Sequence, residues 1–77
     1  MSDEKESVVY NHETELCVYL RNGSQVIFDS DHGSSAEIIE LCNRIRRADF
    51  CDVCFEFESG SVAVLRVAEV IAVSLKV

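Results

Sequence analysis

Two hairpin-like stretches flank a single amphipathic helical stretch, and the first of them is apolar on both of its faces. That order of patterns restricts the chain to an α+β fold. Glu15 to Arg21 and Ser24 to Asp29 flank Asn22-Gly23, the dipeptide best suited to a two-residue turn with positive φ at both positions. Such a turn predicts that Tyr19 pairs with Val26, Val18 with Ile27 and Cys17 with Phe28. In that register Leu16, Val18, Leu20 and Ile27 share one face, and Cys17, Tyr19, Val26 and Phe28 share the other. Antiparallel sheets with one solvated face alternate apolar with polar residues. This pair does not, so its second side requires a cover.

Ser34 followed three residues later by Glu37 is a capping-box signature, and Ser30 to Ser35 reads as the loop before it. Ile38, Leu41, Cys42, Ile45 and Ala48 then recur at helical spacing as one buried stripe, with Ile39 on its flank. Glu40 and Arg44 are placed to pair at i, i+4 on the outside. Arg44, Arg46 and Arg47 fall in the last turns, where cations complement the helix dipole.

Phe50 to Glu58 alternates, with Cys51, Val53, Phe55 and Phe57 on one face and Asp52, Cys54, Glu56 and Glu58 on the other. Ser59-Gly60 is a turn and Ser61 to Val67 returns as a strand. After a break at Ala68-Glu69, Val70 to Val77 reads as a last strand. The expected architecture is a hairpin, one helix and a three-stranded antiparallel meander, with the helix on one face of a four- to five-stranded sheet. Ile38, Leu41, Ile45, Phe55 and Phe57 form its expected core.

Seventy-seven residues suffice for one small domain. The expected division is an acidic, disordered tail over 1–7 and a domain over 8–77, in which Val8 to Tyr10 offers a short strand interrupted by Asn11 and His12. The apolar share of 48% and charged share of 27% are those of a globular chain. A formal charge of −7 repels a phosphate backbone and points away from direct nucleic-acid binding. It suits a basic protein partner, or imitation of nucleic acid. The polar, acidic start lacks the pattern of a secretion signal, and the apolar run Val70 to Val73 is too short to span a membrane. The four cysteines are accordingly expected as thiols in a reducing, cytoplasmic setting.

Cys51-Asp-Val-Cys54 invites a metal or redox reading, but an offset of three in a strand sends the two thiols to opposite faces. His32 lies among Asp29, Asp31, Ser34 and Ser35, which are also the residues that a loop into a helix N-cap requires. Gly33-Ser34-Ser35 precedes a helix, yet lacks the Gly-x-x-x-x-Gly-Lys pattern and has Asp29 and Asp31 to repel a phosphate. Asp49, Asp52, Glu56 and Glu58 are the densest acidic group, and three of them share one strand face. No motif ties the chain to a family. These features lead to a small acidic non-enzymatic protein–protein interaction module, without metal, cofactor or catalytic residues. It would act as a homodimer through Cys17, Tyr19, Val26 and Phe28, or as a regulator or inhibitor of a basic protein through its acidic face. The alternative is a small metal- or ligand-binding domain using the cysteines and His32.

Overall fold

The computed structural model describes residues 14–77. The expected tail and the short strand at Val8 to Tyr10 lie outside the described residues, as does His12. Strand β1 (Glu15–Leu20) turns into β2 (Gln25–Phe28), and helix α1 (Ser35–Arg47) follows. A second hairpin, β3 (Val53–Glu56) and β4 (Val62–Leu65), leads through a 3₁₀ turn (Val67–Glu69) into β5 (Val70–Lys76). The class is α+β. The strands divide into a three-stranded antiparallel sheet of order β2-β1-β5 and the two-stranded sheet β3-β4, instead of one sheet of four or five.

The corner that divides them lies at the expected break. Arg66 leaves β4 extended, the 3₁₀ turn redirects the chain, and Glu69 accepts a hydrogen bond from the Arg21 amide at 2.8 Å. The Arg21 guanidinium also donates to the Ala68 carbonyl at 3.1 Å. These contacts hold the turn against the first hairpin, so β5 pairs with β1 instead of extending β3-β4 as a meander. Its register runs from Glu15 opposite Lys76 to Leu20 opposite Val70, with a bulge at the Tyr19–Leu20 step.

The first hairpin is displaced by one residue from the expected register. Leu16 faces Phe28, Cys17 faces Ile27, and Val18 faces Val26. A two-residue turn would need positive φ at both Asn22 and Gly23. Only Gly23 has it, at +93°, and the Asn22 side chain instead accepts from the Ser24 amide at 2.9 Å. The Gly23 amide donates to Leu20 and the Leu20 amide to Ser24, which closes a three-residue loop of the bulged type. A slip of one residue exchanges the faces of a whole strand. Val26 and Phe28 therefore join Leu16 and Val18 on the inner side, and Ile27 joins Cys17 and Tyr19 on the outer one.

Helix α1 begins as its sequence requires. The Ser34 hydroxyl accepts from the Glu37 amide at 3.2 Å, and the Glu37 carboxylate accepts from the Ser34 amide at 3.0 Å. Ile38, Leu41, Cys42 and Ile45 are buried, and Ala48 is half-buried against them. They meet Leu16, Val18 and Phe28 from the first sheet and Val53, Phe55, Phe57, Ala63 and Leu65 from the second. One core thus joins both sheets and the helix, and it contains the five residues expected to form it. Gly33 lets the loop before the helix lie against that core, since a Cβ there would stand 2.5 Å from the Phe57 ring. On the outside, Glu40 pairs with Arg47 at 3.8 Å, while Arg44 lies over the Phe55 ring at 5.6 Å. Stacking on an aromatic face takes Arg44 away from the expected helical pair.

Candidate functional site

β5 is the longest strand among the described residues, with seven residues, and stands at an edge of its sheet. Among the described residues, β1 occupies one side of it and no strand occupies the other. Natural edges are kept short, charged, bulged or covered. The opposite edge, β2, has only four residues. β5 reads Val-Ile-Ala-Val-Ser-Leu-Lys, with a bulge at Ile71 near its start and one charge at its far end, which leaves Ala72 to Leu75 as its regular uncharged stretch.

A groove of about 300 Å³ runs beside its first half, lined chiefly by Ile45, Phe50, Val67, Val70, Ile71 and Val73, together with the charged Arg46 and Asp49. The chain makes this groove by the way it ends the helix. Ala48 closes the last turn, and Asp49 and Phe50 then take φ of 51° and 72° before the Cys51 amide returns to the Ala48 carbonyl at 2.9 Å. Asp tolerates the left-handed region through its short polar side chain, whereas for a bulky residue it is a genuine outlier. Phe50 is held there with 74% of its surface exposed. The expected strand from Phe50 consequently starts only at Val53, and Cys51 is exposed instead of sharing the Val53 face.

Four exposed large apolar residues gather along this edge: Phe50, Ile71 (60%), Leu75 (37%) and Val77 (76%). Reading the sequence for alternation missed them, since Phe50 passes for the first residue of a strand and β5 for a strand like the others. The signal present in the sequence was a helix ending in Ala48-Asp49-Phe50 with no Gly to take the left-handed position.

The residues expected to form an interface separate. Cys17 and Tyr19 remain on the outer face, with Ile27, Ala72 and Ser74 as their cross-strand neighbours, while Phe28 is buried at 6% and Val26 packs against the core. The four expected residues are therefore not one surface, for the register reason given above. Cys17 donates to Gln25 at 3.2 Å. A side-chain hydrogen bond with Cys17 and the charge of that thiol, followed by desolvation and the Glu15 charge, raise the Tyr19 hydroxyl above its ordinary pKa.

The acidic group is exposed but interrupted. Asp52 precedes β3 and Glu58 follows it, Cys54 stands between Asp52 and Glu56, and Asp49 belongs to the left-handed turn. Cys54 and Glu56 face Val64 and Val62 across the hairpin, both exposed, so the acids share their surface with apolar side chains. The Glu58 amide donates to the Glu37 carboxylate at 2.8 Å. That bond, with the one from Ser34, holds the Glu37 carboxyl below the usual carboxylate range.

His32 sits edge-on to Phe28 at 5.3 Å, with its Nδ1 3.2 Å from the Asp29 amide and 3.3 Å from the Asp29 carboxylate. The four thiols are dispersed: Cys17 on the outer sheet face, Cys42 in the core, Cys51 after the helix and Cys54 on β3. Among the described residues no group of three or more His, Cys, Asp or Glu is placed to hold a metal ion. No helix among them is long and apolar enough to cross a membrane. Comparison of the chain with protein-family models, with curated proteins and with solved structures finds no match.

Proposed function

We propose that this chain is a non-enzymatic protein–protein interaction module that binds by adding a strand to the free edge of β5. The observation that carries the reading is the coincidence of an edge that is unpaired among the described residues and almost wholly apolar with a groove and an exposed Phe50 on strained backbone. An added strand takes its affinity from main-chain hydrogen bonds along the edge and its specificity from alternate side chains entering a groove. Strain at an exposed residue costs stability without any return inside the isolated chain. A partner that covers the Phe50 ring would supply that return. The setting we propose is cytoplasmic, because four unpaired thiols suit a reducing compartment.

Photo-crosslinking inside cells tests the reading. A photoreactive phenylalanine analogue replacing Ile71 should give protein adducts, while the same analogue replacing Glu40 on the outer side of α1 should give few. Equal yields at the two positions, or none at position 71, would contradict it.

A further inference from the structure

We infer that the strand added to β5 is the β5 of a second copy of this chain, paired antiparallel about a twofold axis through Val73. This rests on the reading of β5 as the binding edge and names its occupant. Val73 is the centre of the strand, so pairing about it spans all seven positions, with the bulge at Ile71 interrupting the ladder near each end. Ile71 then lies opposite Leu75 of the other copy, Ala72 opposite Ser74, and Val70 opposite Lys76.

Three features of the edge make it complementary to itself. First, its exposed apolar residues divide between the two ends: Phe50 and Ile71 beside the start of β5, Leu75 and Val77 at its finish. An antiparallel copy lays the second pair over the first, twice, as an isologous interface requires. Leu75 and Val77 of one chain thereby reach the groove and the Phe50 ring of the other.

Second, the faces agree. Val73 and Leu75 lie on the side of Val18 and Leu16, and Ala72 and Ser74 lie on the side of Tyr19 and Cys17. From Ala72 to Ser74, pairing about Val73 sets each class against its own kind, which antiparallel neighbours must do; beyond the bulge at Ile71 the match ends, with Val70 on the inner side and Lys76 on the outer one. The three-stranded sheet becomes a six-stranded one, and its inner side stays apolar across the join.

Third, the charges agree. Lys76 lies opposite uncharged Val70 of the other copy, and no residue of β5 meets a like charge. A register centred on Lys76 would oppose the two ammonium groups, and one centred on Ala72 would set Glu69 against Leu75. The groove lining includes one cation and one anion, Arg46 and Asp49. That balance suits a copy of the same edge and gives no preference to a strongly basic or acidic peptide.

The test uses the full chain with Cys17, Cys51 and Cys54 changed to Ser, so that buried Cys42 is the sole remaining native thiol. Sedimentation equilibrium of this chain across micromolar concentrations should show a reversible dimer. Ile71→Asp, at an exposed position, should keep the circular dichroism of the parent and weaken the dimer about a hundredfold, because it buries an unpaired charge. The double variant Ile71→Cys with Leu75→Cys should close into a covalent dimer on mild oxidation. Neither single variant should do so, since like positions lie about 13 Å apart across the axis, beyond disulfide reach. Covalent dimers from either single variant at the yield of the double would overturn the register. A monomer at every concentration would overturn the second copy as occupant. If the position-71 analogue then still captured a different protein, the edge would stand as a binding site with another partner. If deletion of residues 1–13 were needed to expose β5, the occupant would be this chain's own N-terminal segment, and the inference would fail.

Discussion

At Phe50 local stability and surface chemistry pull in opposite directions. A left-handed conformation costs an L-residue roughly 1–2 kcal/mol relative to glycine, and the exposed ring recovers little of that within one chain. Phe50→Gly should therefore raise the unfolding free energy of the dilute chain by about 1 kcal/mol, measured by urea denaturation, while it weakens association. A loss of stability in the dilute chain would mean that the ring packs inside its own molecule. Phe55 presents the opposite case, buried between Phe57, the helix stripe and the Arg44 guanidinium. Phe55→Ala should cost about 3–5 kcal/mol, close to the whole stability of a domain this small. A midpoint within a degree or two of the parent would refute that placement.

Among the elements, the helix start acts as a junction. The Glu37 carboxylate closes the capping box with Ser34 and also accepts from the amide of Glu58, fastening α1 to the turn between β3 and β4. Its carboxyl is held below the usual range, so the folded chain binds this proton less readily than the unfolded one. The stabilisation is thus full above the ordinary carboxylate pKa and disappears as the pH falls through the lower folded value. Glu37→Gln should flatten the loss of stability on acidification below about pH 4.5, seen as a smaller drop in melting temperature between pH 6 and pH 3. An unchanged slope would show that other carboxylates govern acid sensitivity.

The helix was legible because a capping box and an apolar stripe at 3.6-residue spacing admit one interpretation. The hairpin register was not. A two-residue turn and a three-residue bulged loop both use Asn22-Gly23, and they differ in whether Asn22 takes positive φ or turns its side chain to Ser24. That one backbone angle decided whether Phe28 was core or surface. The partner of β5 was also hidden, because alternation within a strand identifies its faces and not its neighbour. What selected β1 was the corner at Val67–Glu69, fastened by Arg21. The sequence did show that the first hairpin lacks a polar face, and Cys17, Tyr19 and Ile27 remain on its outer side.

For the whole molecule, two chains of formal charge −7 repel at long range, while the proposed contact between them is apolar. Added salt should therefore tighten the dimer, since screening removes the repulsion and leaves the buried surface intact. A complex with a basic protein would respond in the opposite sense. We propose β5 as the edge through which this chain meets protein, its own copy first. Amide hydrogen exchange, followed by mass spectrometry over a dilution series of the purified chain, maps that edge without prior choice of residue. Protection should fall on dilution in segments containing Phe50 and Val70 to Val77, with Gln25 to Phe28 and Val62 to Leu65 unchanged. Dilution-dependent protection at β2 or β4, with β5 unaffected, would contradict it.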